Sequence, residues 1–421
     1  MRIVRILILS ALLISFLGSC KTTSTVNKKW SGQAPIRIVA TNTLPIQKQW
    51  KRTFDIGSGI YLSNNFEGAR LNGAVLSGDT MIIALITSEN SPINPSPWYA
   101  FKLWSEEKRD ISLKLTYQQG ARHRYYPKIS KDGEQWMSVA EDKYKLGEID
   151  TAARRPLAEA AYLNLQIGPD TTWVAGQELS TSKHAKAWVD GLAEKDYVEQ
   201  FTVGRSRENR PIPGMKIGTA DDTKLILVLS RQHPPEVTGY IAMQAFVEAL
   251  ASDTDLAKKF RAEYNAYIIP FINPDGVDNG HWRHSTAGID LNRDWKNVNQ
   301  PEVAAVQSFL AEKDKKGTFY FGVDFHSTWE DIYYTISPEL KGNKPGLVPA
   351  MIKEMATELK LDPNIRPNAS AERGPTSSSY MFHVLGAEAL TYEIGDNTPR
   401  DLVKRKGEVS AMKLMELLLK E

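Results

Sequence analysis

The fold is decided by the stretch LILVLSRQHPPE at residues 225–236. Its first five residues form an uninterrupted apolar run, which predicts a β-strand. The run ends at Ser230, and a polar segment with two prolines follows, carrying His233 and Glu236. Since these two residues are three positions apart, a turn at the start of a helix can aim both side chains at one point. The stretch therefore predicts a strand that leads into a loop with metal-binding or catalytic potential.

Segments around this stretch alternate between strand and helix. An apolar stripe at helical spacing follows it, at Ile241, Ala245, Phe246, Ala249 and Leu250. The remaining candidates are strands at 266–271, 319–325 and 390–394, and helices near 302–313 and 412–419. Such alternation indicates a layered α/β domain with a largely parallel sheet, which we assign to residues 175–421.

The first half of the chain has a different pattern. Short strand-like runs, such as Thr80–Ile86 and Ile111–Tyr117, are separated by clusters of Gly, Asn, Pro and Ser. The second run alternates apolar and polar residues with period two, as a half-buried strand does. We therefore expect an N-terminal antiparallel β-sandwich at residues 45–174.

Composition and charge are those of an ordinary globular protein. The chain has 421 residues, of which 42% are hydrophobic and 24% charged, which argues against long disorder, collagen and a pure coiled coil. Lys and Arg number 52 and Asp and Glu number 50. If Arg2 and Arg5 are removed with a leader, 50 of each sign remain, and no nucleic-acid partner is expected.

The N-terminus carries the features of an export signal. Arg2 and Arg5 precede an apolar run from Ile6 to Leu17, which is too short to span a bilayer. The ending Leu17-Gly18-Ser19-Cys20 resembles a bacterial lipobox and contains the chain's one cysteine. We expect a signal peptide at 1–19, a lipidated Cys20 and a tether at 20–44, which implies a membrane-anchored lipoprotein of the bacterial cell envelope. The alternative is a plain signal peptide whose cysteine is incidental.

A third candidate ligand lies far along the chain. The strand candidate at 319–325 ends at His326, just as the strand at 225–230 leads to His233 and Glu236. Two imidazoles and one carboxylate form a catalytic zinc set that leaves the fourth position open for water. A lone His-x-x-Glu is a weak signal, but both pieces follow apolar strands, where α/β sheets place their ligands. We expect His233, Glu236 and His326 to bind one Zn²⁺.

Further motifs lie between these ligands, namely Asn273-Pro274-Asp275-Gly276, Trp282-Arg283 and Asp290-Leu291-Asn292-Arg293-Asp294-Trp295, and the first half contains Asp132-Gly133-Glu134-Gln135-Trp136. Together these motifs resemble the M14 zinc carboxypeptidases, in particular the cytosolic carboxypeptidase branch, which also carries an N-terminal β-sandwich. The resemblance covers about residues 45–421. It implies a carboxypeptidase-like α/β/α domain with a mixed, largely parallel sheet.

The resemblance also implies a role for individual residues. His233, Glu236 and His326 match the zinc ligands, and Asp290 matches the carboxylate that orients His233. Further matches are Arg283 to the arginine that faces the oxyanion, Asn292 and Arg293 to the pair that binds the substrate's terminal carboxylate, and Glu393 to the general base. One position departs from the digestive members, whose mobile tyrosine has no match here. Tyr380 is the nearest tyrosine before Glu393, and the resemblance does not assign it that role.

Three functions compete on this evidence. The first is a zinc metallocarboxypeptidase acting on peptides with a free C-terminal carboxylate. The second is a peptidase that cuts the stem peptides of peptidoglycan, which would suit an envelope location. The third is a binding module with an inactive metal site, although the presence of both Glu393 and Arg283 argues against it. The sequence does not distinguish the first two.

Overall fold

The computed structural model describes residues 32–34, 36–91, 95–151 and 157–420. Residues from Gly32 onward form one compact unit. The predicted signal peptide, Cys20 and residues 20–31 of the predicted tether lie outside the described residues. Residues 41 to 44 of that tether pack on the second half of the chain, where Leu44 N donates to Ala287 O over 2.8 Å. The predicted boundary at residues 174 and 175 stays a prediction.

The first half consists mainly of short strands. In chain order these are β1 (Thr53–Asp55), β2 (Ile60–Ser63), β3 (Gly73–Ser77), β4 (Met81–Ile86), β5 (Ala100–Ser105), β6 (Arg109–Tyr117), β7 (Lys128–Ser130), β8 (Trp136–Ser138), β9 (Tyr144–Leu146), β10 (Ile149–Asp150), β11 (Leu157–Ala158), β12 (Ala160–Ile167) and β13 (Thr172–Ala175). A 3₁₀ helix spans Glu141–Lys143.

Two sheets of this half pack on a common core. One has the order β1-β2-β5-β13-β7-β8 and the other β3-β4-β6-β12-β9, while β10 pairs with β11. Apolar side chains from both sheets, such as Leu103 of β5 and Leu113 of β6, are fully buried in one cluster, which makes this half a β-sandwich. One pairing differs from the antiparallel expectation, because β4 and β6 run parallel. The reason is that the strand between them, β5, belongs to the opposite sheet.

The second half alternates strands and helices. Its elements are α1 (Ser182–Leu192), β14 (Val198–Arg205), β15 (Pro211–Ile217), β16 (Lys224–Ser230), α2 (Val237–Leu250), α3 (Asp255–Glu263), β17 (Asn265–Ile269), α4 (Pro274–Asp278), α5 (Pro301–Asp314), β18 (Thr318–Thr328), β19 (Ile332–Ile336), α6 (Leu347–Leu359), β20 (Ile365–Asn368), α7 (Ser377–His383), β21 (Glu388–Gly395) and α8 (Arg400–Leu418). A 3₁₀ turn spans Leu291–Arg293.

These strands form one mixed sheet, with the order β14-β15-β17-β16-β18-β21-β19-β20. The central pairs β17–β16, β16–β18 and β18–β21 are parallel, and β14, β15 and β19 introduce antiparallel pairs. In β16, Ile226 and Val228 point into a core with α2 and α8, whereas Leu225, Leu227 and Leu229 point into a core with α5. Helices therefore cover both faces of the sheet, and the predicted α/β/α fold class is confirmed.

The first turn of α2 lies close against β18. A Cβ atom built on Gly239 would lie 2.3 Å from the carbonyl oxygen of His326, so this approach requires glycine. Thr238 Oγ1 and Gly239 N also bond to the hydroxyl of Ser327, over 2.9 and 2.8 Å. The helix that follows His233 and Glu236 is thus fixed on the strand that carries His326.

Among the helices that the structure describes, none is both long enough and apolar enough to cross a bilayer.

Candidate metal and active site

Parallel strand register brings the predicted site residues to one edge of the sheet. Ser230 at the end of β16 pairs with Phe325 of β18, and His326 pairs with Glu393 of β21. Because parallel strands end at the same edge, the loop after β16 lies beside His326 and Glu393 there. The structure therefore gathers side chains that are far apart in the sequence.

His233, Glu236 and His326 converge on one buried point. Glu236 Oε1 lies 2.8 Å from His233 Nδ1, and Glu236 Oε2 lies 2.7 Å from His326 Nδ1. One ligand atom from each residue can be chosen so that all three lie within 4.8 Å of one another. All three residues are buried. This set of donors can hold a single metal ion.

The outer nitrogens of the two imidazoles also face carboxylates. His233 Nε2 lies 2.9 Å from Asp290 Oδ1, and His326 Nε2 lies 2.8 Å from Asp324 Oδ2. If each Nε2–H donates to its aspartate, each Nδ1 lone pair points at the carboxylate of Glu236. The two lone pairs and the carboxylate repel one another in this arrangement. A cation placed between the three groups would attract each of them. The donor set thus fits a zinc ion with nitrogen and oxygen ligands.

Asp290 was expected from the sequence, and Asp324 was missed. Asp324 stands two residues before His326 on β18, so both side chains lie on one face of the strand. Its carboxylate also accepts hydrogen bonds from Gln232 and Ser377. The spacing Asp-x-His at a strand end is the signal that would have found it.

Arg283 lies beside the metal-binding group. Its Nε donates to Asp290 Oδ2 over 2.7 Å, and the side chain is buried at the edge of the pocket. Burial alone raises the pKa of a carboxyl group, but the charges of Arg283 and His233 hold the pKa of Asp290 well below its usual range. Asp290 therefore stays ionised and joins the imidazole of His233 to the guanidinium.

Glu393 faces the same pocket from β21. Its Oε2 atom is buried and has no hydrogen-bond partner within the described residues. Burial is the largest cause and the negative charge of Glu236 the second, and together they raise the pKa of Glu393 to about 7. A carboxylate with a pKa near neutrality is suited to accept and return a proton at physiological pH.

These groups line a cavity of about 250 Å³. Six residues that the sequence analysis singled out contribute to its wall: His233, Glu236, Arg283, Asn292, Arg293 and Glu393. Residues that the sequence analysis missed are Gln33, Ala34, Ile36 and Arg37 before the first strand, Ser96 and Arg124 of the sandwich half, and Ser327, Thr328, Tyr334, Thr376, Ser378 and Thr391. The wall is thus polar and comes from both halves of the chain.

Asn292 and Arg293 lie in the 3₁₀ turn after Asp290. Asn292 Oδ1 accepts from Ser377 N over 2.9 Å, and its Nδ2 lies 3.3 Å from His326 Nε2. Arg293 Nη1 donates to the carbonyl of Asn292, while its Nε is buried without a partner among the described residues. Arg293 therefore retains donor capacity toward the pocket, whereas Asn292 is held in place by the protein.

Two further side chains are Tyr380, which the sequence analysis considered, and Arg124, which it did not. Tyr380 is buried against Trp295, with ring centroids 5.3 Å apart, and another tyrosine, Tyr334, contributes to the pocket wall. Arg124 reaches the pocket from the sandwich half, and its Nε donates to Asp396 Oδ2 over 2.7 Å. No pattern near Arg124 in the sequence indicates that its side chain contributes to the pocket wall.

Comparison with known proteins gives a consistent result. Residues 185–360 match the Peptidase M14 family, described as zinc carboxypeptidase. Cytosolic carboxypeptidase 6 of Caenorhabditis elegans is 23% identical over 293 residues, covering 65% of this chain and 59% of that protein. An uncharacterized protein of Zymomonas mobilis is 24% identical over 270 residues, covering 62% and 66% respectively. This chain spans less than two thirds of the length of either relative.

Among solved structures, a metallo-carboxypeptidase from Burkholderia cenocepacia has a similar fold. The TM-score is 0.71 at 18% identity, and the match covers 85% of this chain and 98% of that chain. Since the match extends well beyond residues 185–360, the likeness of fold includes much of the first half.

The metal-binding group predicts a specific loss of zinc. Changing His233 to Ala leaves two ligands, which make a poor site, so the purified variant should contain little zinc. The matched control is His383→Ala, because His383 lies at the end of α7, outside this group. Elemental analysis of both variants and the unaltered protein is the measurement. Full zinc occupancy in His233→Ala would rule the assignment out.

Proposed function

We propose that this chain, whose residues 185–360 match the Peptidase M14 zinc carboxypeptidase family, hydrolyses the C-terminal peptide bond of peptides. The observation that carries the proposal is the convergence on one pocket of a His-Glu-His group, a carboxylate with a raised pKa and two arginines. This combination provides a metal site, a proton acceptor and two cationic groups for a substrate.

His233, Glu236 and His326 would hold the zinc, and Asp290 and Asp324 would fix the orientation of the two imidazoles. Zinc, when bound, polarises a carbonyl group and lowers the pKa of water toward about 7. Three protein ligands leave room for water and substrate, as a catalytic site requires.

Glu393 acts as the general base in this proposal. Its partnerless Oε2 can take a proton from the attacking water and pass it to the leaving amine. Arg283, held by Asp290, donates to the oxygen on which negative charge develops. Such a donor acts mainly in the transition state, and one of this kind is worth roughly 3–4 kcal/mol.

Arg293 binds the terminal carboxylate of the peptide, with Asn292 beside it. A guanidinium can bind a carboxylate through two parallel hydrogen bonds, and its donor capacity toward the pocket is consistent with that role. Fixing the terminus there places the last peptide bond at the metal-binding group. The enzyme then removes one residue at a time and does not cut inside the chain.

Paired peptides test the requirement for a free carboxylate. Two peptides of one sequence, ending in a carboxylate or a carboxamide, are compared by kcat/KM. The carboxamide should be cleaved about a thousandfold more slowly, because it leaves a desolvated guanidinium without its counter-charge. Equal cleavage of both, or products cut from the middle of the chain, would contradict exopeptidase action and leave the metal site standing.

A second prediction concerns Glu393. Glu393→Gln keeps the shape of the side chain but removes the proton acceptor, so turnover should fall by about 10²–10⁴ while zinc content stays unchanged. The control is Glu388→Gln at the other end of β21, where an amide oxygen can still accept from Gly342 N. Near-normal turnover in Glu393→Gln would exclude the role of general base.

We further propose that the protein is anchored to the envelope membrane through Cys20. The support is the lipobox-like ending at 17–20 in the sequence, after a basic and apolar leader. Cys20→Ser should leave the protein soluble or unprocessed, whereas Ser24→Ala in the predicted tether should have no effect. Membrane fractionation distinguishes these outcomes, and a Cys20→Ser variant anchored as before would place the anchor elsewhere.

A further inference from the structure

The segment that carries Arg283 lies against the sandwich half of the molecule. Its preceding backbone is bonded there, because Gly68 N donates to Asp278 O over 2.7 Å and Arg70 Nε donates to Gly280 O over 2.7 Å. Gly280 has a φ of +64°, and a Cβ atom on it would lie 2.2 Å from Ala69 O. The segment therefore reaches Arg283 along a path that the sandwich half defines.

Trp282, the residue before Arg283, is part of the sandwich core. Its side chain is fully buried in the same cluster as Leu103 and Leu113. The indole Nε1 donates to Trp98 O over 3.0 Å. Burial of an indole with its N–H bonded fixes both the position and the rotation of the ring. The backbone just before Arg283 is thereby anchored in the other half of the molecule.

Glu89 completes this anchoring from the loop after β4. Its carboxylate accepts three successive backbone N–H groups, from Trp282 over 2.7 Å, Arg283 over 3.2 Å and His284 over 3.0 Å. His284 Nδ1 lies 2.7 Å from the same carboxylate, and Arg70 Nη2 lies 3.7 Å away. Glu89 is fully buried, so these groups take the place of water around its charge.

The environment of Glu89 keeps its carboxyl group ionised. Burial alone would raise its pKa, but the hydrogen bond from His284 and the charges of His281, His284 and Arg70 lower the pKa of Glu89 below its usual range. Hydrogen bonds to an ionised acceptor are about twice as strong as those between neutral groups. A carboxylate in this environment is therefore a strong fixed point for three consecutive amides.

Arg283 is consequently held at both ends. Glu89 fixes its backbone, and Asp290 fixes its guanidinium. We propose that Glu89 is a positioning residue, through which the sandwich half sets the place of the Arg283 guanidinium in the active site. The inference rests on the proposed function, in which Arg283 stabilises the oxyanion. It assigns the sandwich half an indirect part in catalysis, because Glu89 acts only through the position of Arg283.

Hydrogen exchange tests the anchoring without any need for activity. Glu89→Gln replaces the two charged oxygens of the carboxylate by one neutral oxygen and one NH₂ group. The backbone N–H groups of residues 282–284 then face a weaker acceptor or another donor. Amides in residues 282–284 should exchange at least about tenfold faster, while exchange in the central sheet is unchanged. The matched control is Glu107→Gln, because Glu107 is exposed in the same half. Unchanged exchange at 282–284 in Glu89→Gln would overturn the inference.

Kinetics test the link to Arg283. Glu89→Gln should lower kcat by about 100-fold with little change in KM, since a misplaced donor weakens the transition state more than the bound substrate. In an Arg283→Gln background, Glu89→Gln should cause little further loss, because both changes remove one interaction. Additive losses, a fall in zinc content or an effect confined to KM would each overturn the positioning role.

A less severe variant covers the case in which Glu89→Gln does not fold. Glu89→Asp keeps the charge but shortens the side chain, and it should lower kcat less, with the same dependence on Arg283. Normal kcat in Glu89→Asp together with normal exchange at 282–284 would overturn the inference. If the unaltered protein cleaves no peptide, the proposed function fails, and hydrogen exchange alone then decides whether Glu89 anchors the segment.

Discussion

Parallel pairing of β16, β18 and β21 is the constraint on which the rest of the site depends. Strands that run parallel end at one edge of the sheet, so the loop after β16 meets His326 and Glu393 there. Helices bury both faces of this sheet, and α2 is pressed against β18 at Gly239. The packed core of this sheet and its helices therefore fixes the positions of His326 and Glu393 and of the helix that follows Glu236.

Charge compensation shapes what this edge can bind. Glu236 lies between two imidazoles, and Asp290 lies between an imidazole and the guanidinium of Arg283. An unpaired charge in a buried site is costly, so these groups constrain one another's position and protonation. With an aspartate on the outer nitrogen of each histidine, the inner lone pairs and Glu236 are arranged for a cation. Glu393 is the other carboxylate of the pocket, and its Oε2 has no hydrogen-bond partner among the described residues.

Local patterns in the sequence predicted the fold class, and together with the resemblance to the M14 zinc carboxypeptidases they predicted the metal-binding group. The apolar run of β16 and the helical stripe of α2 indicate that these two elements are buried. His233 and Glu236 lie between them in the sequence. Asp324 was within reach, because its spacing from His326 places both on one strand face. Glu89 and Arg124 were not, since each acts across the contact between the two halves, and no local periodicity encodes such a contact. The parallel pairing of β4 with β6 was missed because it arises only when β5, the strand between them in the sequence, joins the opposite sheet of the sandwich.

The most direct test of the account is the set of products that the zinc-loaded protein forms from a mixture of peptides and peptidoglycan muropeptides, read by mass spectrometry. The account predicts that peptides become shorter by one C-terminal residue at a time, that chelation stops the reaction and that added zinc restores it. Shortening of muropeptides alone, fragments cut from internal bonds, or turnover that persists after the metal is removed would contradict it.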